Sequence, residues 1–328
     1  MKRVSIGGQA VLEGVMMKGP KSYALAVRKP NKEIEVKVTD YVSLGERYKI
    51  LQIPLLRGIV NFLESLYIGM KTLMDSSEYV EEEEETKKDS SESKKDIKKE
   101  SSNKEDSKKT DKNEKESSTG YLIGTLIVSL VIAVGVFMLL PAFLANFLYK
   151  VTESDLLVNL AEGILRLVIF LGYVVVISFM DDIKRTYMYH GAEHKTINCM
   201  EAGDDLTVEN VKKHTRFHKR CGTSFVFIVM FISIVVFMFV RTDVMWLRLV
   251  SRVLLIPLIA GISYEFIRYA GKHNNACSNV LSAPGLWVQR LTTREPDDSM
   301  IEVAIKSVEG VIDWHEYVDC VRNNTFEV

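Results

Sequence analysis

Between Tyr121 and Tyr149 the sequence carries no charged side chain, and no other feature limits the fold so sharply. A helix needs about 20 predominantly apolar residues to cross a bilayer. Residues 156–180, 223–240 and 246–268 are further stretches of sufficient length and apolarity. The chain is therefore expected to be mainly α-helical and polytopic, with about four transmembrane helices, two within 121–180 and two within 223–268. Its first partner is the lipid bilayer, and a single soluble domain is excluded.

Whole-chain composition hides this division, because 42 basic and 43 acidic residues give a formal net charge of −1. Many of those charges sit in one place. Residues 81–118 hold 11 Lys, 14 Asp or Glu, eight Ser and a single aliphatic residue, Ile97. Such a segment cannot bury enough apolar surface to offset its ordering entropy, so 76–120 reads as a disordered charged tract. The near-zero net charge argues against nucleic acid as a partner, since binding phosphates needs a basic surplus. Cys199, Cys221, Cys277 and Cys320 form no C-x-x-C pair and are too few for a disulfide framework.

Loop charge sets the orientation. The 181–222 connection carries Lys184, Arg185, Lys195, Lys212, Lys213, Arg216, Lys219 and Arg220, against Lys150 alone in 150–155. By the positive-inside rule the longer loop is cytoplasmic, and both termini with it. The N-terminus lacks the apolar region and small-residue cleavage site of a signal peptide, so insertion into the inner (plasma) membrane rests on the chain's own helices. Arg241, Arg248 and Arg252 fall on the outer side of this scheme and argue for a later start or a tilt of the fourth span.

Outside the spans, residues 1–52 read as a small β-rich unit. Tyr23–Arg28 and Ile34–Val38 flank a Pro-led turn and predict a hairpin. The preceding GGQAVLEGVMMKGP suggests turns at a sheet edge, or a site into which Gln9 and Glu13 project. Residues 53–75 place Arg57, Asn61, Glu64, Lys71 and Asp75 on one face of an apolar helix, which predicts an amphipathic helix lying in the interface. Residues 269–328 read as a cytosolic region with a helix from about Ser299 to Val311, capped by the turn at 293–298.

The chemistry gathers in the 181–222 loop. His190, His194, His214 and His218 are four of the chain's six histidines. Each pair is spaced i, i+4, so a helix would present both rings on one face. His190-Gly191-Ala192-Glu193-His194 matches H-x-x-E-H, in which two histidines hold Zn²⁺ and the glutamate takes a proton from water. A second helix is expected from near Thr207 to Gly222, with Cys221 adding a thiolate. Imidazole and thiolate select zinc or a similar transition metal over magnesium or calcium.

Other readings compete with a catalytic metal. The histidines could lie on a basic surface near anionic headgroups, pack in a core beside Ile197 and Val211, or close a structural zinc site. Glu162 with Arg166, and Glu265 with Arg268, are spaced to neutralise each other along their helices. Glu265 lies on the same side of the membrane as the histidines and is a candidate third ligand; His273 and Cys277 are weaker ones.

The motifs GGQAVLEGVMMKGP (7–20), YHGAEHKTINCMEAG (189–203), HKRCGTSF (218–225) and PGLWVQRLTTREPDD (284–298) make the chain resemble the YqhQ-type family of bacterial membrane proteins. That family is of unknown function and is often labelled a predicted metal-dependent enzyme. The resemblance covers the chain apart from the charged tract, which looks like a lineage-specific insertion, and its label points to His190, Glu193, His194, His218 and Cys221. The expected function is then a membrane protein with a cytoplasmic zinc site built from His190, His194, His214, His218, Cys221 and Glu265. If catalytic, it is a hydrolase with Glu193 as general base, Glu13 or Glu265 as third ligand or orienting group, and a peptide or lipid-linked small-molecule substrate. The rival is a non-enzymatic assembly or scaffold factor for other membrane proteins. A transporter would show broken helices and internal repetition, which this sequence does not favour.

Overall fold

The first four elements are strands. In the computed structural model, which describes residues 6–92, 124, 128–129, 131–240, 244–273 and 275–326, β1 (Gly7–Val11), β2 (Gly14–Lys18), β3 (Ser22–Arg28) and β4 (Ile34–Asp40) form an antiparallel meander in sequence order. The glycine-rich segment expected as edge turns is thus itself the first hairpin. Its register pairs Val11 with Gly14 around a two-residue turn, where Glu13 takes φ 49°. A two-residue loop with positive φ matches the twist of the flanking strands. The expected second hairpin is present, with Arg28 opposite Ile34.

Period-two alternation in β2 and β3 feeds two cores. Val15, Met17 and Ala26 belong to the larger one, while Val11, Met16, Tyr23, Leu25 and Val27 pack with Ile68 on the opposite face. Covering both faces explains why these strands read as nearly continuous apolar runs. Ile68 comes from α2 (Leu56–Glu92), which follows the short α1 (Leu44–Arg47). α2 outruns the expected 53–75, and residues 81–92 of the charged tract continue it, consistent with the helix propensity of Glu and Lys; the tract from 93 lies outside the described residues.

Two compact units divide the chain: residues up to 85 with 172 onward, and 86–171. In the second unit an apolar helical stretch, Val131–Lys150, includes a π-helical turn at Gly135–Leu139 and α3 (Leu140–Asn146). It is followed by α4 (Asp155–Ile177). Glu162 and Arg166 pair at 2.9 Å as their spacing implied, and Arg166 Nε also donates to the Phe137 carbonyl at 3.1 Å.

The larger core of the first unit is completed by α5 (Asp181–Ala202), α6 (Val208–Lys213), α10 (Asp298–Glu309) and α11 (Trp314–Asn323). α5 starts with Asp181 and Asp182, favourable at the positive end of the helix dipole, and stops at Gly203 in the left-handed region (φ 84°). Asp297 caps α10 by accepting the Met300 N–H, placing the helix within a residue or two of its expected bounds. Between α6 and α10 run α7 (Gly222–Met238), α8 (Met245–Lys272) and α9 (Ala276–Thr292).

Among the described residues three helical stretches are long and apolar enough to cross a membrane: Val131–Lys150, Asp155–Ile177 and Val250–Gly271. α7, the expected third span, is apolar but has 17 residues.

Candidate metal centre

α5 carries His190, Glu193 and His194 through the middle of the first unit, as the H-x-x-E-H spacing implied. Gly191 between them is sterically required, because a Cβ there would stand 2.0 Å from the Arg294 carbonyl oxygen. That close approach lets the 292–296 strap lie on α5: Arg294 N–H donates to the Tyr187 carbonyl, and the Thr292 carbonyl reaches His190.

The second histidine pair is not on a helix. α6 ends at Lys213 and residues 214–221 are irregular, which corrects the expected helix from Thr207 to Gly222. Partners outside the segment satisfy its peptide groups instead. Asn198 Nδ2 donates to the carbonyls of Thr215 and Phe217, His194 Nδ1 donates to that of Arg216, and Gln289 takes both the N–H and the C=O of His218. The Thr215 hydroxyl accepts the Phe217 N–H, a local bond that competes with helix formation.

This arrangement brings together His190, His194 and Cys221, whose ligand atoms all lie within 4.8 Å of one another. His190 Nδ1 is 2.9 Å from the Thr292 carbonyl oxygen and His194 Nδ1 is 2.6 Å from that of Arg216. A carbonyl can only accept, so each Nδ1 carries a proton, and in the neutral form that binds a metal each Nε2 presents a lone pair. His190 Nε2 is 3.2 Å from Cys221 Sγ. Pinning one ring nitrogen to a backbone carbonyl is how proteins orient metal-binding histidines, and two imidazoles with a thiolate suit zinc.

The electrostatics are those of a buried, coupled cluster. Burial opposes a charge on His190, but the Cys221 sulfur raises its pKa to about 9. Burial likewise opposes the Cys221 thiolate, yet His190 and His194 hold its pKa well below the usual thiol value. Cys221 is also the N-cap residue of α7, where the helix dipole favours negative charge. Glu193 is 4% exposed, and burial raises its pKa against the opposing pull of His194 and His190. Its side chain packs where Gly8 of β1 leaves room, since a Cβ at Gly8 would lie 2.9 Å from Glu193 Cγ.

The remaining candidates have other partners. His218 neighbours His194, with ring centroids 5.7 Å apart, but its Nε2 faces Glu201 at 3.5 Å. His214 Nε2 contacts the Asp204 carboxylate at 2.9 Å. Glu265 forms a two-pronged pair with Arg57 of α2, where its own helix had suggested Arg268. Glu13 binds Arg185 in the same manner and accepts from the Tyr189 hydroxyl at 3.3 Å, holding α5 one turn before His190. His273 Nδ1 lies 3.0 Å from the Tyr269 carbonyl.

Residues 53–314 match the model of the family described as "Protein of unknown function (DUF1385)". The chain belongs to that family. It is 37% identical over 322 residues to "Uncharacterized protein YqhQ" of Bacillus subtilis (strain 168), covering 93% of this chain and 92% of that one. No solved structure matches it. The family match spans every residue of the cluster, whereas the four strands lie before it.

Several supporting residues escape a sequence reading. Gln289 is fully buried and also donates to the Ser224 hydroxyl at 2.8 Å. Its helix also carries Asn279, so an amide there was no distinguishing signal. Asn198, one turn past His194, was detectable by spacing. The Thr292 and Arg216 carbonyls leave no trace in sequence, because every residue has one.

Proposed function

We propose that this protein is a plasma-membrane protein with both termini in the cytoplasm, and that His190, His194 and Cys221 hold a transition metal, zinc by preference, beside Glu193. Four spans are Val131–Lys150, α4, α7 and α8. The eight basic residues between Lys184 and Arg220 support the orientation. The observation that carries the metal reading is that both imidazoles are fixed through Nδ1, leaving Nε2 lone pairs near one buried sulfur. When bound, zinc supplies Lewis acidity: it makes water more acidic and draws electrons from a carbonyl or phosphoryl group.

The chain's own groups then divide the work of a hydrolase. Glu193 accepts a proton from its buried position on α5 between the two histidines. The Thr292 and Arg216 carbonyls hold the rings in place, and Glu13 holds α5 through Arg185. The substrate is a peptide or lipid-linked group close to the membrane.

The test is metal content of the detergent-purified protein. We expect about one metal per chain in wild type, loss in His190→Ala, retention in Glu193→Gln, and loss of cellular function in both variants. Metal retained with full function in Glu193→Gln would leave a structural site. A second reading rests on the 3.2 Å contact of Cys221 with His190: without metal, the pair has the form of a thiolate nucleophile and its base. Wild type that purifies without metal, and that loses cellular function in Cys221→Ser, would select it.

A further inference from the structure

Where α2 crosses α8 there is a cleft of about 290 Å³, lined by Glu46, Gln52, Arg57, Asn61, Tyr264 and Arg268 together with neighbouring residues of the 43–60 segment. Most of its polar groups are satisfied within the protein. Arg57 is neutralised by Glu265, Asn61 Nδ2 donates to the Tyr264 hydroxyl at 2.7 Å, and Gln52 Nε2 donates to the Gly45 carbonyl at 2.8 Å. Arg268 and Glu46 differ. Among the described residues neither enters an ion pair with the other or with a third group. Arg268 is drawn only at longer range toward Glu265, whose carboxylate Arg57 already holds, so the cleft offers a guanidinium and a carboxylate without close ionic partners, the complement of a ligand carrying both an anion and a cation.

Its surroundings restrict that ligand further. Arg268 lies three residues before the end of the apolar stretch Val250–Gly271. The chain segment forming the opposite wall exposes Tyr48, Ile50, Ile53, Leu55 and Leu56, with Ile50 67% and Tyr48 54% exposed. A polar cleft at the end of a span, rimmed by exposed apolar side chains, fits a molecule with a charged head and apolar chains. The volume is at the low end for ligand pockets, about 300–1,000 Å³, so it suits a headgroup alone. Guanidinium pairs well with phosphate, and a carboxylate accepts hydrogen bonds from a primary ammonium.

We propose that this cleft binds the headgroup of a phosphatidylethanolamine-type phospholipid, its phosphate on Arg268 and its ammonium on Glu46. Phosphatidylglycerol lacks the ammonium, and phosphatidylcholine has no N–H to donate. The proposal rests on α8 lying in the bilayer, as in the proposed function above, and is independent of the metal.

The test uses the full-length protein, reconstituted into phosphatidylcholine vesicles doped equally with phosphatidylethanolamine and phosphatidylglycerol, then re-extracted in mild detergent for lipid quantification. We expect about one phosphatidylethanolamine retained per chain, at least tenfold over phosphatidylglycerol. Arg268→Gln and Glu46→Gln should each lower retention about tenfold, and Arg47→Gln, which is outside the cleft, should not. For wild type alone, soluble phosphoethanolamine should displace the lipid while inorganic phosphate at equal concentration should not. Equal retention of the two lipids, or displacement by phosphate as well, overturns the assignment even if the variants fail to fold. Extraction of the chain from vesicles by alkaline carbonate would instead sink the membrane reading itself, whereas a carbonate-resistant chain that retains no phosphatidylethanolamine sinks only the headgroup site.

Discussion

His190 Nε2 lies 3.2 Å from Cys221 Sγ, joining the middle of α5 to the residue that caps α7. Burial alone would make that thiol a weaker acid, and the neighbouring imidazoles reverse the effect. Metal-free protein should therefore be alkylated at Cys221 at pH values where an ordinary thiol is protonated. His190→Ala removes the larger of the two imidazole contributions and should move the pH profile upward. Cys199 is an internal control, because burial raises its pKa to about 12. Peptide mass spectrometry across pH 5–10 reads both sites, and an unshifted Cys221 profile in His190→Ala would refute the coupling.

Glu265 was a ligand candidate by sequence and is committed to Arg57 by the fold. Glu265→Gln should leave metal content per chain unchanged while lowering thermal stability, since it leaves Arg57 without its carboxylate. Metal lost in this variant, with folding intact, would return Glu265 to the ligand set.

Gln289 supports the irregular 214–221 segment by bonding both peptide groups of His218. Gln289→Leu keeps much of the volume and strands two buried backbone groups, at about 1–3 kcal/mol each. The expected outcome is a lower melting temperature together with weaker metal retention, because Cys221 is three residues from His218. Unchanged values for both would contradict the support role.

Gly191→Ala should be among the most damaging single-methyl additions in the protein. The added carbon would meet the Arg294 carbonyl, a backbone atom that cannot move cheaply, and overpacking of this kind costs about 3 kcal/mol. Gly7→Ala, where nothing lies within 4 Å, is the matched control. Thermal unfolding in detergent compares them.

Glu201 ties the same segment to the end of α5. Burial would raise its pKa, but His218 and Arg220 lower it below the ordinary carboxylate value. A depressed carboxylate stabilises the fold above its unfolded-state pKa, and that contribution is lost as pH falls through the folded-state value. Glu201→Gln should then reduce stability at neutral pH and flatten the acid limb of the stability profile. An acid limb identical to wild type would show that this group is not responsible.

Apolar run length determined the approximate limits of three of the four expected membrane-length helices, the fourth being the shorter α7, and period-two alternation determined the second hairpin, because both signals depend only on neighbouring residues. The i, i+4 spacing likewise determined that His190 and His194 share a face of α5. The other half of the cluster was a tertiary decision. The same spacing in His214 and His218 came to nothing, since Asn198, His194 and Gln289 satisfy the backbone there and hold it irregular. Glu265 and Glu13 found arginines more than 170 positions away, and Cys221 met His190 because the segment before it was left free to bend. Helical periodicity is written in local order; which distant groups satisfy a buried peptide or a carboxylate is fixed only when the elements pack.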